Sequence, residues 1–465
     1  MDNVVRQVGG WLAVTAGSLA VVGLVATVPT ATAEATLGSQ AFAGNRTSAT
    51  VSGPVSMTPA SYTPYLDPAV SGQNVRQLVQ CGPTVYAVGR ISSIKQADTV
   101  YPRSSAFSFS ATTGVVTGWS PSVDGDLSSV ALSPDCSTAY LAGDFSTVNG
   151  ESADNVVAVN TTTGAVIEAF AHSASAHVDT LQFVHGQVVA GGQFTSINGA
   201  KRSRMASLDA TTGLPTKWLK LAFAGKYPRS SPTKVYNSQL SHDGTRLLIE
   251  GVFTTIATVP RQQVAVLDLG STSVSLNGWH APELDAQCMP VESFYAKGGN
   301  WSADDSQIYV VSTGYKPNGG STSAPRSGLC DSAAAFPATA TDVKHDWINY
   351  TGCDSLYSVV ADASTVYIGG HERWSNNPLG CDRAGTGAVA MPGIGGLGVT
   401  DGLATSWNPT RFRGHGAEDL LLTNAGLWVA SDNAGNGSGQ ACGGKPRHGG
   451  ICFFPYNPYS KGSGG

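Results

Sequence analysis

Charge is scarce in this chain. Only 13% of its 465 residues are Asp, Glu, Lys or Arg, against roughly 25% in an average soluble domain. The 27 Lys+Arg and 32 Asp+Glu leave a net charge of -5, and no basic cluster stands out, which argues against binding to the phosphate backbone of a nucleic acid. Glu, Lys and Leu do not dominate, so a long coiled coil is excluded. No Cys-x-x-Cys or Cys-x-x-His pair is present, which makes a structural zinc site a poor reading. Gly-x-Ser-x-Gly, His-Glu-x-x-His and P-loop motifs are also missing. What is present is 56 Gly, nine Trp and a 41% hydrophobic share. That share is enough to build a core and excludes disorder for most of the chain.

The N-terminus is set apart first. Residues 1–7 carry Arg6, residues 8–28 are uncharged and apolar, and Ala31-Thr32-Ala33 precedes Glu34. This reads as a secretory signal peptide over residues 1–33. The competing reading is an uncleaved anchor, since 21 uncharged residues just span a bilayer. Downstream, no stretch is long and apolar enough to span one. Residues 34–60 are rich in Ser, Thr, Ala and Gly and read as a flexible or loosely docked arm, and residues 457–465 as a disordered tail. Eight Cys suit an oxidising compartment, where an even number can pair fully.

The main signal is an internal repeat. Ala142-Gly143-Asp144-Phe145-Ser146-Thr147-Val148-Asn149-Gly150 recurs as Gly191-Gly192-Gln193-Phe194-Thr195-Ser196-Ile197-Asn198-Gly199 and, shortened, as Glu250-Gly251-Val252-Phe253-Thr254-Thr255-Ile256. With weaker copies, the position of Gly143 falls at 89, 143, 192, 251, 313, 370 and 431. Thr-Gly pairs at 113–114, 163–164 and 212–213 follow an apolar run and precede Trp119, Phe170 and Trp218, with looser copies ending at Trp279, Trp347 and Trp407. Such a pair between two apolar runs signals a hairpin, so each unit reads as about four short strands. Repeated four-stranded units predict an all-β, seven-bladed β-propeller over residues 61–456. A β-sandwich array would explain the strands but not the period. The seventh unit lacks a fourth strand, so a strand near residues 65–70 is expected to join that of residues 451–454 and close the ring.

The Gly-Asp-Phe-Ser-Thr-Val-Asn-Gly text followed by a strand and Thr-Thr-Gly resembles the delta-sixty repeat of secreted bacterial β-propellers. Residues 369–378, Trp407-Asn408-Pro409 and residues 426–432 look like the end of actinobacterial members. The resemblance spans residues 73–455 and implies an exported propeller. It implies no particular reaction, because the family has none generally established.

Counting back from the repeated glycine gives the row expected to line a central channel: Gln77, Ser129, Thr180, Asn237, Ser293, Ser358 and Asp419. One residue earlier stand Arg76, Ser128, Asp179, Tyr236, Glu292, Tyr357 and Glu418. Asp179, Glu292, Glu418 and Asp419 are therefore the candidate acid/base carboxylates. The same groups would suit a structural calcium ion; no other metal or cofactor is called for. A second candidate surface is the loop of the sixth unit, where His371, Glu372, Arg373, Trp374 and Asn376 mix a planar ring with polar groups, as sugar binding requires. Arg411, Arg413 and His415 are expected to complete it. The bland readings are a water-filled, self-neutralised channel and a loop held by Trp374 packing.

Repeat equivalence also predicts disulfides. Cys81 and Cys136 occupy the same turn of adjacent units, Cys288 and Cys353 both precede an inner strand, and Cys330 and Cys381 occupy equivalent loops. Cys442 and Cys452 remain. The expected bridges are Cys81–Cys136, Cys288–Cys353, Cys330–Cys381 and Cys442–Cys452. The leading function is a secreted, extracellular or cell-surface, monomeric, non-catalytic propeller that binds an extracellular polysaccharide, cell-wall component or protein. A secreted glycan-active enzyme, hydrolase or lyase, is the alternative, and a purely structural surface protein the third.

Overall fold

The computed structural model describes residues 53–226, 232–288, 294–314, 328–339, 341–414, 416–432, 442–444 and 448–456. The signal segment, residues 34–52 of the arm, the tail of residues 457–465, Glu292, Ser293 and His415 lie outside them. The described part belongs to the compact unit Ala41–Gly465.

The fold is all-β, with one short 3₁₀ turn at Pro282–Asp285 among the described residues. Seven antiparallel meander sheets follow one another along that described chain. Their first strands are Asn74–Cys81, Asp126–Leu132, Val178–Val184, Lys234–Leu240, Ala296–Trp301, Leu356–Ala361 and Ala417–Thr423. Each pairs with a second strand by a tight hairpin, and the second strand pairs with a third. The second strands are near-continuous apolar runs, as in Leu247-Leu248-Ile249, because both of their faces are covered. In the two-residue hairpin His185-Gly186 both residues adopt positive φ (51° and 70°), the backbone of a two-residue turn matched to strand twist. The three longest hairpins are tied by a Ser hydroxyl donating to an Asp two residues on: Ser133 to Asp135, Ser241 to Asp243 and Ser302 to Asp304, at 2.5–2.6 Å.

The expected fourth strand is often vestigial. It is a full strand in the fourth and fifth sheets, Val274–Leu276 and Trp347–Tyr350. In the first, second, third and sixth it shrinks to one bridge, such as Phe109 with Val116. The landmark tryptophans that follow have a repeated task. The indole N–H of Trp119, Trp218, Trp279 and Trp347 donates to the carbonyls of Asn160, Gly270, Pro337 and Val399 of the next unit, at 2.7–3.1 Å.

The core is divided into wedges between successive sheets, and each wedge draws side chains from two of them. A further wedge packs Leu421, Trp428 and Phe453 of the seventh sheet against Val85, Phe107 and Phe109 of the first. First strands of successive sheets also touch one another, and Ala417–Thr423 touches Asn74–Cys81. Meander sheets standing side by side around their first strands make the arrangement of a β-propeller.

The N-terminal segment departs from expectation. Tyr65–Leu66 pairs with Ser93–Gln96 of the first repeat, not with Ile451–Pro455. The residues that bond to that last strand lie earlier in the chain. Ser56 N–H donates to Pro455 O at 2.7 Å and Ala60 N–H to Phe453 O at 2.8 Å. Residues 53–60 are thus docked, with Val55 only 2% exposed. Trp407 donates to Ser56 O at 3.2 Å, so this segment receives the tryptophan bond that a third strand receives elsewhere.

Two disulfides differ from expectation. Cys81–Cys136 and Cys442–Cys452 form, but the others are Cys288–Cys330 and Cys353–Cys381, with Cα atoms 5.5 and 5.0 Å apart. Cys288–Cys353 and Cys330–Cys381 do not form. The first and third strands of a meander run the same way, so the loops entering them meet at one end of a single sheet. Cys288 and Cys330 enter those strands of the fifth sheet, and Cys353 enters the first strand of the sixth. For these four cysteines proximity within a sheet outweighs equivalence between sheets, whereas Cys81–Cys136 joins equivalent turns of the first and second sheets.

Candidate functional site

Every first strand carries the same irregularity. The register slips between Val75/Gln77, Leu127/Ser129, Val178/Thr180, Val235/Asn237, Ala296/Gly298, Leu356/Ser358 and Ala417/Asp419. A bulge leaves one residue unpaired and re-aims its side chain. The bulged residues are Arg76, Ser128, Asp179, Tyr236, Lys297, Tyr357 and Glu418. With the residue after each, they line a cavity of about 290 Å³. Asp179, Glu418 and Asp419 stand on its wall together.

In the fifth sheet the positions are Lys297 and Gly298, where the sequence pointed to Glu292 and Ser293. Gly298 is required because a Cβ there would stand 2.4 Å from the Tyr357 carbonyl oxygen. The spacing speaks against Ser293. The other units place the channel residue 12 or 14 residues before the landmark, 14 where the hairpin has the Ser-x-Asp form, whereas Ser293 stands 20 before residue 313. The structure puts the landmark at Ser312, which pairs with Ala296 as Gly143 pairs with Leu127, and Gly298 stands 14 before it.

The charges on the wall are engaged. Arg76 donates to Asp126 at 3.0 Å, and Arg90 reaches the same carboxylate at 2.6 Å. Burial favours the neutral form of Asp126, but the two guanidiniums prevail and hold its pKa below the usual range. Lys234 reaches Asp179 at 3.1 Å, and His177 shares a 2.8 Å hydrogen bond with Ser128. Tyr236 donates to Ala296 O. Burial, with Glu250 and Asp179 nearby, pushes its phenol pKa up.

The deeper row acts as a seam. Gln77 Oε1 accepts the N–H of Val130 at 2.6 Å, Ser129 Oγ that of Leu181 at 3.0 Å, and Asp419 Oδ2 that of Leu78 at 3.1 Å. Thr180 and Ser238 hydroxyls meet at 2.7 Å, and Ser358 donates to Ala417 O at 2.9 Å.

The structure also gathers the loop candidates, around Asp354. Arg373 donates to Asp354 at 2.7 Å, Arg413 to the same oxygen at 3.1 Å, and Arg413 also to His371 O at 2.7 Å. Arg411, buried, pairs with Asp432 at 2.7 Å. The Arg373 guanidinium lies 4.6 Å from the Trp374 ring centre, and the ring is half-buried. Asn376 is a turn residue, with φ of 53°, bonded to Asn349 and Ala404. Glu372 is fully buried, and neither carboxyl oxygen has a hydrogen-bond partner among the described residues. Burial pushes its pKa up to about 8, with Arg411 and Arg413 opposing and Asp354 adding to the rise. His371 is lowered, first by burial and then by Arg413. These residues form a charged joint between the sixth and seventh sheets. Among the described residues, no group of three or more His, Cys, Asp or Glu is placed to hold a metal ion, and no helix is long and apolar enough to cross a membrane.

No protein-family description matches the chain, and no curated protein sequence matches it. Among solved structures it is similar to the WD40 repeats of RRP9 (9% identity, 86% of this chain and 99% of that one, TM-score 0.47). It is similar to U3-55K (10% identity, 86% and 100%, TM-score 0.47). It is also similar to the WD40 β-propeller domain of Doa1 (12% identity, 86% and 97%, TM-score 0.42). At such scores the architecture rests on the strand pairing described above.

Proposed function

We propose that this chain is an exported, seven-bladed β-propeller of the delta-sixty-repeat type that binds an extracellular glycan or cell-wall component at the mouth of its channel, without turning it over. In this reading residues 53–60 complete the seventh blade and the ring is closed. The observation that carries it is the bulge repeated in all seven first strands, which turns charged and hydroxyl-bearing side chains into one cavity of about 290 Å³. That volume lies near the lower end of the range for ligand pockets, roughly 300–1,000 Å³. Four disulfides favour an oxidising compartment. Binding is favoured over glycan hydrolysis because Asp179 is held by Lys234 and Asp419 by a backbone N–H. A hydrolase needs one proton-donating and one ionised carboxyl group flanking the sugar bond.

The test is a glycan array with residues 34–465, followed by incubation of each bound glycan and analysis for cleavage. Retention without products is expected, and weakened retention for Glu418→Gln. Products from the wild type that vanish in Asp179→Asn or Glu418→Gln, with retention intact, would establish the enzyme instead.

A further inference from the structure

We infer that the outer edge of the third sheet, apart from the channel mouth, docks an acidic polysaccharide that carries a carboxylate on successive sugars. Residues 180–242 hold eight Lys or Arg and a single acid, Asp209, in a chain of net charge -5. These cations are spaced along the sequence, and the fold gathers four of them. The Arg202 guanidinium donates to Lys201 O at 3.0 Å and to Thr216 O at 3.1 Å, which holds Ala200–Lys201 against the segment that carries Lys217. Lys217 and Lys220 flank Trp218 and Leu219, whose side chains are buried. Both lysines are exposed, as is Lys201. Among the described residues none of the four cations forms an ion pair with a carboxylate. Elsewhere Arg76, Lys95, Lys234, Arg373 and Arg411 each have one.

The fold accounts for the arginine but not for the lysines. Arg103 and Arg261 make the same pair of bonds in the first and fourth sheets, to the carbonyls of Pro102 and Thr117 and of Pro260 and Gly278. The position of Lys201, which pairs with Ser196, is held in those sheets by Pro102 and Pro260. That of Lys217, just before the landmark tryptophan, is held by Gly118 and Gly278. The three ammonium groups therefore serve something other than the sheet. A single exposed ion pair is weak and screened by salt, so a small anion gains little here. A polymer that meets several ammonium groups with one chain adds the contacts together. Double-stranded DNA carries a charge roughly every 1.7 Å, and beyond the strip it would meet the edge of the second sheet, where Glu151, Asp154 and Glu168 are exposed. Base stacking on the strip also lacks a platform, since Trp218 is only 6% exposed. A uronic-acid chain has one charge per sugar and lays fewer charges over that acidic neighbour.

The experiment is affinity electrophoresis of residues 34–465 in native gels that contain polygalacturonate, its fully methyl-esterified form, dextran or double-stranded DNA, with mobility read against a polymer-free gel. Retardation is expected in polygalacturonate and not in the two neutral polymers, and it should fade as sodium chloride is raised. Lys217→Glu combined with Lys220→Glu turns two attractions into repulsions and should raise the apparent Kd at least about tenfold. Lys344→Glu, at an exposed lysine of the fifth sheet, changes the net charge away from the strip and should leave the Kd unchanged. Equal losses from Lys217→Glu and Lys344→Glu would reduce the effect to net charge and overturn the strip. No retardation in polygalacturonate, or retardation in DNA at least as strong, would overturn the ligand class. Loss of retardation in Glu418→Gln, with the lysine variants unaffected, would move the polymer to the channel mouth and leave that reading standing while this one fails.

Discussion

The carboxylate of Asp419, on the first strand of the seventh sheet, accepts the backbone N–H of Leu78, on the first strand of the first, at 3.1 Å. Gln77 stands in the same relation to Val130, and Ser129 to Leu181. A channel residue thus takes the N–H that follows the channel residue of the next sheet, and Asp419 does so between the last sheet and the first. Asp419→Ala should therefore act on stability. A hydrogen bond to a charged acceptor contributes about 1.5–3 kcal/mol, so a loss of that order in denaturant unfolding is expected. An unchanged midpoint would show that the bond does not join the two ends of the chain.

Residues 53–60 should behave as part of the last sheet. Deleting them removes the bonds of Ser56 to Pro455 and Ala60 to Phe453, and the Trp407 and Val55 contacts. At about 1 kcal/mol for each hydrogen bond, a loss of roughly 3–4 kcal/mol is expected, read as a lowered melting temperature. An equal melt for chains starting at residues 53 and 61 would contradict the docking.

Non-reducing peptide mapping should recover Cys288–Cys330 and Cys353–Cys381. Replacing both Cys353 and Cys381 by Ala should cost about 2–4 kcal/mol, through the 28-residue separation that the bridge spans. A peptide joining Cys288 to Cys353 would restore the pairing by repeat equivalence.

Glu372 makes stability depend on pH in a defined direction. Its folded-state pKa, about 8, lies above the ordinary glutamate value of 4.5. The folded state therefore binds the proton more tightly. The contribution is fully present below about pH 4.5 and is lost as pH rises towards 8. Glu372→Gln, which cannot ionise, should gain on the wild type through that window by up to about 1 kcal/mol per pH unit, then level off. Denaturant midpoints at pH 5, 6.5 and 8 check this. A constant difference across the three would place the carboxyl in contact with water or a donor.

Much of the fold was legible because one structural unit is written several times. The Thr-Gly pair marks a turn that needs positive φ at the glycine, such as 69° at Gly114 and 69° at Gly213, and the tryptophan beyond it marks the junction to the next unit. The polar row at 77, 129, 180, 237, 358 and 419 was legible for the same reason. The fifth sheet was misplaced because no glycine marks its landmark: Ser312 pairs with Ala296 where the count ran back from residue 313, so Lys297 was passed over for Glu292. The Asp354 joint was half-visible. Its arginines stand out in the sequence, but Asp354 and Asp432, which bind them, come from turns and strand ends that no local pattern links. Trp374 read as a ligand platform because sequence cannot show that Arg373 already lies against its ring.

The most direct measurement is a crystal structure of residues 34–465 with whichever glycan the array selects. The expected density fills the channel mouth within hydrogen-bond reach of Lys297 and Glu418, with Tyr357 as its wall. Density confined to the Trp374 loop, with the channel mouth holding only solvent, would contradict it.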